Sequence, residues 1–247
     1  MNSFKDRIRE LSSKKSPLVL ANDYDSGTLN LESKAISNIR TLGDYLCALK
    51  VNFHLLLPLG KSQIKKINKA AHDSGLQTIA DIKLNDIGNT NFVTAKTLWD
   101  LGFDAIIVNP IMGPKSLQNL VDLAHKEGKG IISLCHMSAP EAKVTYELAV
   151  STGSKRTSLY KLFLEWAIRA KTDGMIVGAT FPKIVSYCRN ESRGRVDIYS
   201  PGIGTQGGDI QKTIQSGSDY LIVGRTILNS KNPKQTARHL FELAGKS

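Results

Sequence analysis

Five charged residues in the first part of the chain, Asp23, Lys50, Asp81, Lys83 and Asp86, have the types and spacing that acid–base or electrostatic chemistry requires. Asp23 ends one apolar run, Lys50 lies on a second, Asp81 and Lys83 close a third, and Asp86 opens the loop beyond. Residues two apart in a strand point the same way, so Asp81 and Lys83 are expected on one face. If the three runs are neighbouring strands, all five charges converge. Acids and bases alternating in one pocket favour ionised carboxylates and protonated amines, whereas burial alone does the reverse. A purely structural ion-pair cluster is the competing reading.

A second constellation lies near the other end of the chain, in SPGIGTQGGD (Ser200 to Asp209) and, one helix later, IVGRTI (Ile222 to Ile227). Gly202, Gly204, Gly207 and Gly208 let backbone N–H groups approach an anion closely, and Arg225 adds a fork of charged donors. With hydrogen bonds to charged groups worth about 1.5–3 kcal/mol each, three or four contacts give a grip on the order of 5–10 kcal/mol, enough to anchor a phosphate. The run Gly202-Ile203-Gly204-Thr205-Gln206-Gly207 also matches G-x-G-x-x-G, but a dinucleotide fingerprint opens the first βαβ unit and is followed by an acid at the end of the next strand; here that strand ends in Gly224-Arg225.

Other polar residues give weaker signals. Cys135 and His136 are adjacent, so their side chains diverge and a nucleophilic dyad is disfavoured, while Ser138 is better suited to binding a base. His54 and His136 could approach the same mouth, but no H-x-H or His-carboxylate spacing supports a metal site. Cys47, Cys135 and Cys188 are odd in number and widely spaced, which fits reduced thiols rather than a disulfide framework.

The elements that must position these residues read as a β/α alternation from end to end. LVLAND is followed by a helix from about Ser33 to Leu49, KVNF by a helix from about Lys61 to Ser74, QTIADIK (Gln77 to Lys83) by a helix near Asn89 to Leu101, and DAIIV (Asp104 to Val108) by a helix near Pro114 to Glu127. GIISL (Gly130 to Leu134), a helix Thr157 to Lys171, GMIV (Gly174 to Val177), a short helix after Pro182, VDIYS (Val196 to Ser200), a helix Ile210 to Gly217, DYLIV (Asp219 to Val223) and a last helix from about Lys234 to Ala244 complete it. Eight strands with no compositional break predict one α/β domain over residues 1–247, a single (β/α)8 TIM barrel, with an open doubly wound sheet as the alternative. Gly75, Gly102, Gly128, Gly174 and Gly217 punctuate the helix-to-strand junctions. The longest connection, Cys135 to Arg156, is a candidate lid.

Composition narrows the partners. At 41% hydrophobic and 22% charged residues the chain can build an ordinary core and is not disordered. Thirty-three Lys and Arg against twenty-two Asp and Glu give +11, a surface that attracts anions, but the basic residues are scattered and lack aromatic interleaving, so no nucleic-acid partner is expected. A charged N-terminus and the absence of a long apolar run predict a soluble cytoplasmic protein with no membrane partner.

Asp81-Ile82-Lys83-Leu84-Asn85-Asp86-Ile87-Gly88-Asn89-Thr90 resembles the D-x-K-x-x-D-I-x-x-T signature of the orotidine 5′-monophosphate decarboxylase family, and the likeness extends through LAND, LKVNF, HMSAP, SPGIGTQGGD and IVGRTI in family order. The resemblance implies a cofactor-free, metal-free lyase of pyrimidine biosynthesis that converts orotidine 5′-monophosphate to UMP and CO2. Lys83 would be the proton donor in a Lys50-Asp81-Lys83-Asp86 network, and Asp23 and Lys50 would hold the ribose. Ser138 would meet the pyrimidine, Gln206 would bridge base and phosphate, Pro201 would line the site, and Gly224 and Arg225 would bind the phosphate. Asp86 and Thr90 would reach into a neighbouring subunit's site, making the enzyme a homodimer. His136 stands where relatives often have an acid, and Glu141 where a Gly commonly follows. Sugar-phosphate barrel enzymes that use Mg²⁺ share D-x-K-x-x-D; Thr90 and the PGIGTQGGD loop favour the nucleotide enzyme.

Overall fold

The structure, a computed structural model, describes residues 2–153 and 155–245. Along the chain run β1 (Leu18–Ala21), β2 (Ala48–Asn52), β3 (Gln77–Leu84), β4 (Ala105–Val108), β5 (Gly130–His136), a separate antiparallel hairpin of β6 (Ala149–Thr152) and β7 (Lys155–Ser158), then β8 (Gly174–Val177), β9 (Asp197–Pro201) and β10 (Tyr220–Val223). All but the hairpin close into one parallel barrel, in the order β1-β10-β9-β8-β5-β4-β3-β2. Closure comes from β1 pairing with β10, Leu18 opposite Leu221. An open doubly wound sheet is thereby excluded.

Strand alternation sorts the apolar residues into two cores. Val19, Ala48, Ile79, Ala105, Ile132, Met175, Ile198 and Tyr220 belong to the inner one, while Leu18, Leu20, Leu49, Val51, Ala80, Ile106 and Val108 pack outward. The outer layer meets the helices through residues such as Ala35, Ile39, Ile64, Leu98 and Val121. Those helices are α2 (Leu31–Leu42), α4 (Lys61–Asp73), α5 (Gly88–Asp100), α6 (Pro114–Lys126), α8 (Leu159–Ala170), α9 (Pro182–Ser192), α10 (Ile210–Gln215) and α12 (Pro233–Ala244). Short turns α3 (Phe53–Leu56), α7 (Ala142–Thr145) and α11 (Arg225–Leu228) sit in the βα loops.

One helix has no counterpart in the sequence reading. Helix α1 (Phe4–Lys14) is opened by a capping box in which Ser3 and Asp6 bond reciprocally, and it sends Phe4 and Ile8 into the inner core from the N-terminal end of the barrel. A Cβ on Gly130 would collide with the Phe4 ring, so strand β5 starts with glycine to admit this plug. Three other expectations are corrected. The helix expected to reach Leu49 ends at Leu42, because a tight turn at Gly43–Tyr45 intervenes and Ala48 and Leu49 pair in β2. The Cys135 to Arg156 connection is not bare loop but carries the end of β5, α7 and part of the hairpin. Gly174 is the first residue of β8 rather than a helix breaker, and the left-handed residue closing α8 is Lys171.

Candidate active site

At the C-terminal mouth of the barrel, Lys50 projects from β2 in register with Ala21 and Ile79, and Asp81 stands in register with Asn52 and Ile107. The Lys50 Nζ lies 2.9 Å from Asp81 Oδ2 and 3.4 Å from Asp23 Oδ1, and Lys83 Nζ donates to Asp81 Oδ1 at 2.7 Å. The charges therefore alternate as Asp23, Lys50, Asp81, Lys83. Burial pulls the Lys50 ammonium down, but Asp81 and Asp23 outweigh it and hold its pKa above the ordinary value. Burial likewise pushes the Asp81 carboxyl up, and Lys50 and Lys83 together hold it below the usual range.

Lys83 reaches Asp81 by a route that plain strand alternation does not supply. Its φ is +48°, and the pairing of β3 with β4 jumps between Asp81 and Leu84, so the strand bulges at this residue. A left-handed backbone costs a non-glycine residue about 1–2 kcal/mol, and such strain persists only where the surroundings over-determine it. The bulge turns the Lys83 amine back over Asp81 while its side chain stays 39% exposed to the pocket.

Across the mouth, the loop after β9 folds on itself through Gly208 N–H to Gly202 O (2.9 Å) and Gly204 N–H to Gly208 O (2.8 Å). Gly202 has φ +98°, and a Cβ there would come within 2.9 Å of both Gln206 Oε1 and the Ser138 side chain; glycine lets those two residues approach over it. The G-x-G-x-x-G run is consumed in this self-closing turn, and α10 begins only at Ile210. The first intrahelical bonds of α11 come from Ile227 and Leu228 to Gly224 O, leaving the Arg225 and Thr226 amides ahead of them. Thr226 Oγ1 ties the two loops together, donating to Ile203 O and accepting from the Thr205 amide. Arg225 is exposed at this edge and makes no ion pair among the described residues.

One cavity of about 280 Å³ is lined by Asp23, Lys50, Asp81, Lys83, Ser138, Pro201, Gln206, Gly224 and Arg225, so the charged array and the glycine-built cradle share it. Asn52, Thr205 and Thr226 also line it. Ile107, Leu134, Ile176 and Ile222 give it an apolar floor. Ser138 is held by its backbone: Thr180 Oγ1 donates to Ser138 O at 2.8 Å, and a Cβ on Gly178 would stand 2.5 Å from Ser138 Cα. Gly178 and Thr180 escape the sequence reading, although Ile176-Val177-Gly178-Ala179-Thr180 echoes Ile222-Val223-Gly224-Arg225-Thr226. In both copies the threonine hydroxyl secures a neighbouring loop.

Asp86 and Thr90 are not in this cavity, so the expected convergence of five charges is corrected to four. Asp86 sits in an exposed turn, its amide donating to Asn91 Oδ1 at 3.0 Å and its carbonyl accepting from Asn91 Nδ2 at 2.6 Å, and Thr90 is exposed on α5. His136 is buried with its ring against Tyr146, Tyr160 and Phe181, and burial holds it below its ordinary pKa. Cys135 turns instead toward Tyr160 O and Cys188. His54 is exposed. Among the described residues no three His, Cys, Asp or Glu side chains are grouped to hold a metal ion, and no helix is long and apolar enough to cross a membrane.

Fold and site define the class: a (β/α)8 barrel whose C-terminal mouth joins a lysine–carboxylate array to a backbone anion cradle. The chain belongs to the orotidine 5'-phosphate decarboxylase / HUMPS family, whose model matches residues 16–240. It is 35% identical over 226 residues to the orotidine 5'-phosphate decarboxylase of Pyrococcus abyssi, covering 91% of this chain and 97% of the relative. With the enzyme of that name from Thermococcus kodakarensis the identity is 37% over 228 residues, 92% of this chain and 96% of the relative. The crystal structure of orotidine 5'-phosphate decarboxylase from Pyrococcus horikoshii OT3 superposes with a TM-score of 0.76 at 32% identity, covering 92% of this chain and 99% of that one. The Methanocaldococcus jannaschii enzyme, complexed with the inhibitor BMP, gives 0.78 at 28% identity over 92% of this chain and 97% of that one.

Proposed function

We propose that this chain is a carboxy-lyase that converts orotidine 5′-monophosphate to UMP and CO2 in pyrimidine biosynthesis. It would act as one barrel domain over residues 1–247, in the cytoplasm, without cofactor or metal. The observation that carries the reading is the continuity, within one cavity, of the Asp23-Lys50-Asp81-Lys83 array with the Gly202 to Arg225 cradle. Gly224 and Arg225 take the phosphate, Asp23 and Lys50 the ribose hydroxyls, and Ser138 the pyrimidine. Gln206 bridges base and phosphate, and Pro201 walls the ring. When the C6–carboxylate bond breaks, its electron pair stays on C6; the Lys83 ammonium beside it stabilises that charge and then gives it a proton, and the neutral amine is reprotonated from solvent. A cation fixed there beforehand needs no reorganisation as charge develops. Asp81, ionised between two lysines, pairs with both amines and opposes the substrate carboxylate with like charge.

Asp86 and Thr90 complete the site of a second subunit in this proposal. Their position outside their own cavity supports it, as do the exposed apolar side chains beside them, Ile87 at 73% exposure with Phe92 and Val93. Purified protein in excess chelator is expected to form UMP from orotidine 5′-monophosphate; activity that appears only with added Mg²⁺ rejects the assignment. Mixing inactive Lys83→Ala and Asp86→Ala proteins is expected to restore part of the activity through hybrid dimers. No recovery despite proven subunit exchange rejects the shared site.

A further inference from the structure

The N-terminal end of the barrel holds a second cleft, of about 460 Å³, between α1 and the junctions that follow α6 and α8 and precede β9. Among the described residues four basic side chains line it, Lys5, Lys129, Lys171 and Arg195, against a single carboxylate, Asp173. That carboxylate is already committed, accepting from the Ile131 amide at 2.8 Å and facing His125 Nε2 at 3.1 Å. The cations are positioned mainly by neutral carbonyls. Lys5 Nζ donates to Arg195 O at 2.6 Å, with Asp197 at 3.7 Å; Lys129 Nζ donates to Phe103 O at 2.8 Å, with Asp104 at 3.9 Å. Arg195 donates to the Ser192 and Glu191 carbonyls. Burial keeps the Lys129 ammonium below its ordinary pKa even with Asp104 nearby, as for a cation that is short of negative charge.

Lys171 supplies an independent sign. It makes no ion pair or side-chain hydrogen bond among the described residues, yet holds a left-handed backbone, φ +58°. At four of the matching turns Gly75, Gly102, Gly128 and Gly217 take that conformation without a side chain's strain, while α9 (Pro182–Ser192) is closed by a second left-handed basic residue, Arg193 at φ +50°. A favourable charge at a helix end does not require it, since Lys126 on α6 and Lys212 on α10 provide one from inside their last turns. The position keeps a cation at the cleft where glycine would be easier.

We propose that this cleft binds a short phosphate chain, a diphosphate or triphosphate, through Lys5, Lys129, Lys171 and Arg195. The surplus of three positive charges matches such a chain better than a lone carboxylate, and the donors converge from four different elements on a concavity rather than a track. Among the described residues the only large apolar side chain lining it is Ile168, and no Phe, Tyr or Trp is offered to nucleic-acid bases. Occupancy would tie α1 to the turns after α6 and α8, stabilising the plugged end without touching the catalytic mouth.

The test uses inorganic tripolyphosphate and the full chain carrying Arg225→Ala, which removes the cradle's own phosphate anchor. At about a hundredfold excess over its dissociation constant the ligand is expected to raise Tm by roughly 5–10 °C. Adding Lys171→Gly, or separately Arg195→Gln, should weaken binding at least about tenfold. Lys171→Gly alone should leave both the ligand-free Tm and kcat/KM undiminished. A nucleoside triphosphate should act like tripolyphosphate. The proposal is overturned by an equal shift in the two added variants, by a shift that sulfate reproduces at matched ionic strength, by a response to the nucleoside triphosphate but not to tripolyphosphate, or by retention of RNA with no response to either.

Discussion

The two ends of the barrel use the same residue types in opposite ways. At the N-terminal end an aspartate stands just before or at the start of β4, β8, β9 and β10. Asp104 accepts from the Thr78 amide (2.8 Å) and His72 (2.8 Å), Asp173 from Ile131 and His125, and Asp219 from the Ile198 amide (2.7 Å) and Arg189, while Asp197 takes both Nε and Nη2 of Arg9. In the first three, a backbone amide of the preceding barrel strand and a side-chain nitrogen from that strand's own leading helix share one carboxylate, which latches neighbouring strands. At the C-terminal end both oxygens of Asp81 face amines, and among the described residues no backbone amide donates to it. An acid satisfied by backbone holds the fold; one satisfied by lysine amines at the cavity wall remains available to a substrate.

That contrast can be broken at either end. The largest effect is expected from Lys83→Ala, which should lower turnover by roughly 10²–10⁴-fold with the melting temperature nearly unchanged; a comparable loss of structure by circular dichroism would make Lys83 a scaffold residue. Asp104→Ala should do the converse. It strips the Thr78 amide and His72 of their carboxylate acceptor, costing about 2–4 kcal/mol in urea denaturation while kcat holds. An unchanged urea midpoint would deny the latch.

The smallest effect is a pH dependence. The hydrogen bond to Asp173, opposed by burial, raises the pKa of His125 above 6.5, so its stabilising contribution is complete below that pH and is lost as pH climbs through the folded-state value. His125→Gln should therefore differ from the parent most in mildly acid buffer and converge with it at alkaline pH, by well under about 1 kcal/mol because the imidazole is partly exposed. A gap that widens with rising pH contradicts this sign.

The barrel was legible because each strand is a short apolar run bounded by turn residues, and Asp81 and Lys83 were legible because the run ends in charge. The Lys83 bulge was not, since nothing in Ile82-Lys83-Leu84 marks a left-handed lysine. Helix α1 hid because Phe4 and Ile8 are embedded among charges, and their burial depends on an open barrel end that only the closed sheet creates. Asp86 was grouped with its sequence neighbours, whereas Asn91 fixes it in a turn facing away from them. The latches were visible but unread: Asp104-Ala105-Ile106-Ile107-Val108, Asp173-Gly174-Met175-Ile176-Val177 and Asp219-Tyr220-Leu221-Ile222-Val223 repeat one pattern, whose acid has meaning only once the preceding strand lies alongside.

The seam between β1 and β10 sets an order of events during synthesis. Strand β1 leaves the ribosome long before its partner exists, and until β10 follows, Leu18 to Leu20 have one unpaired edge and Phe4 has no complete ring of strands to enter. The strands made before β10 can therefore form at most an open sheet with unpaired borders, and sealing waits on the last of the eight.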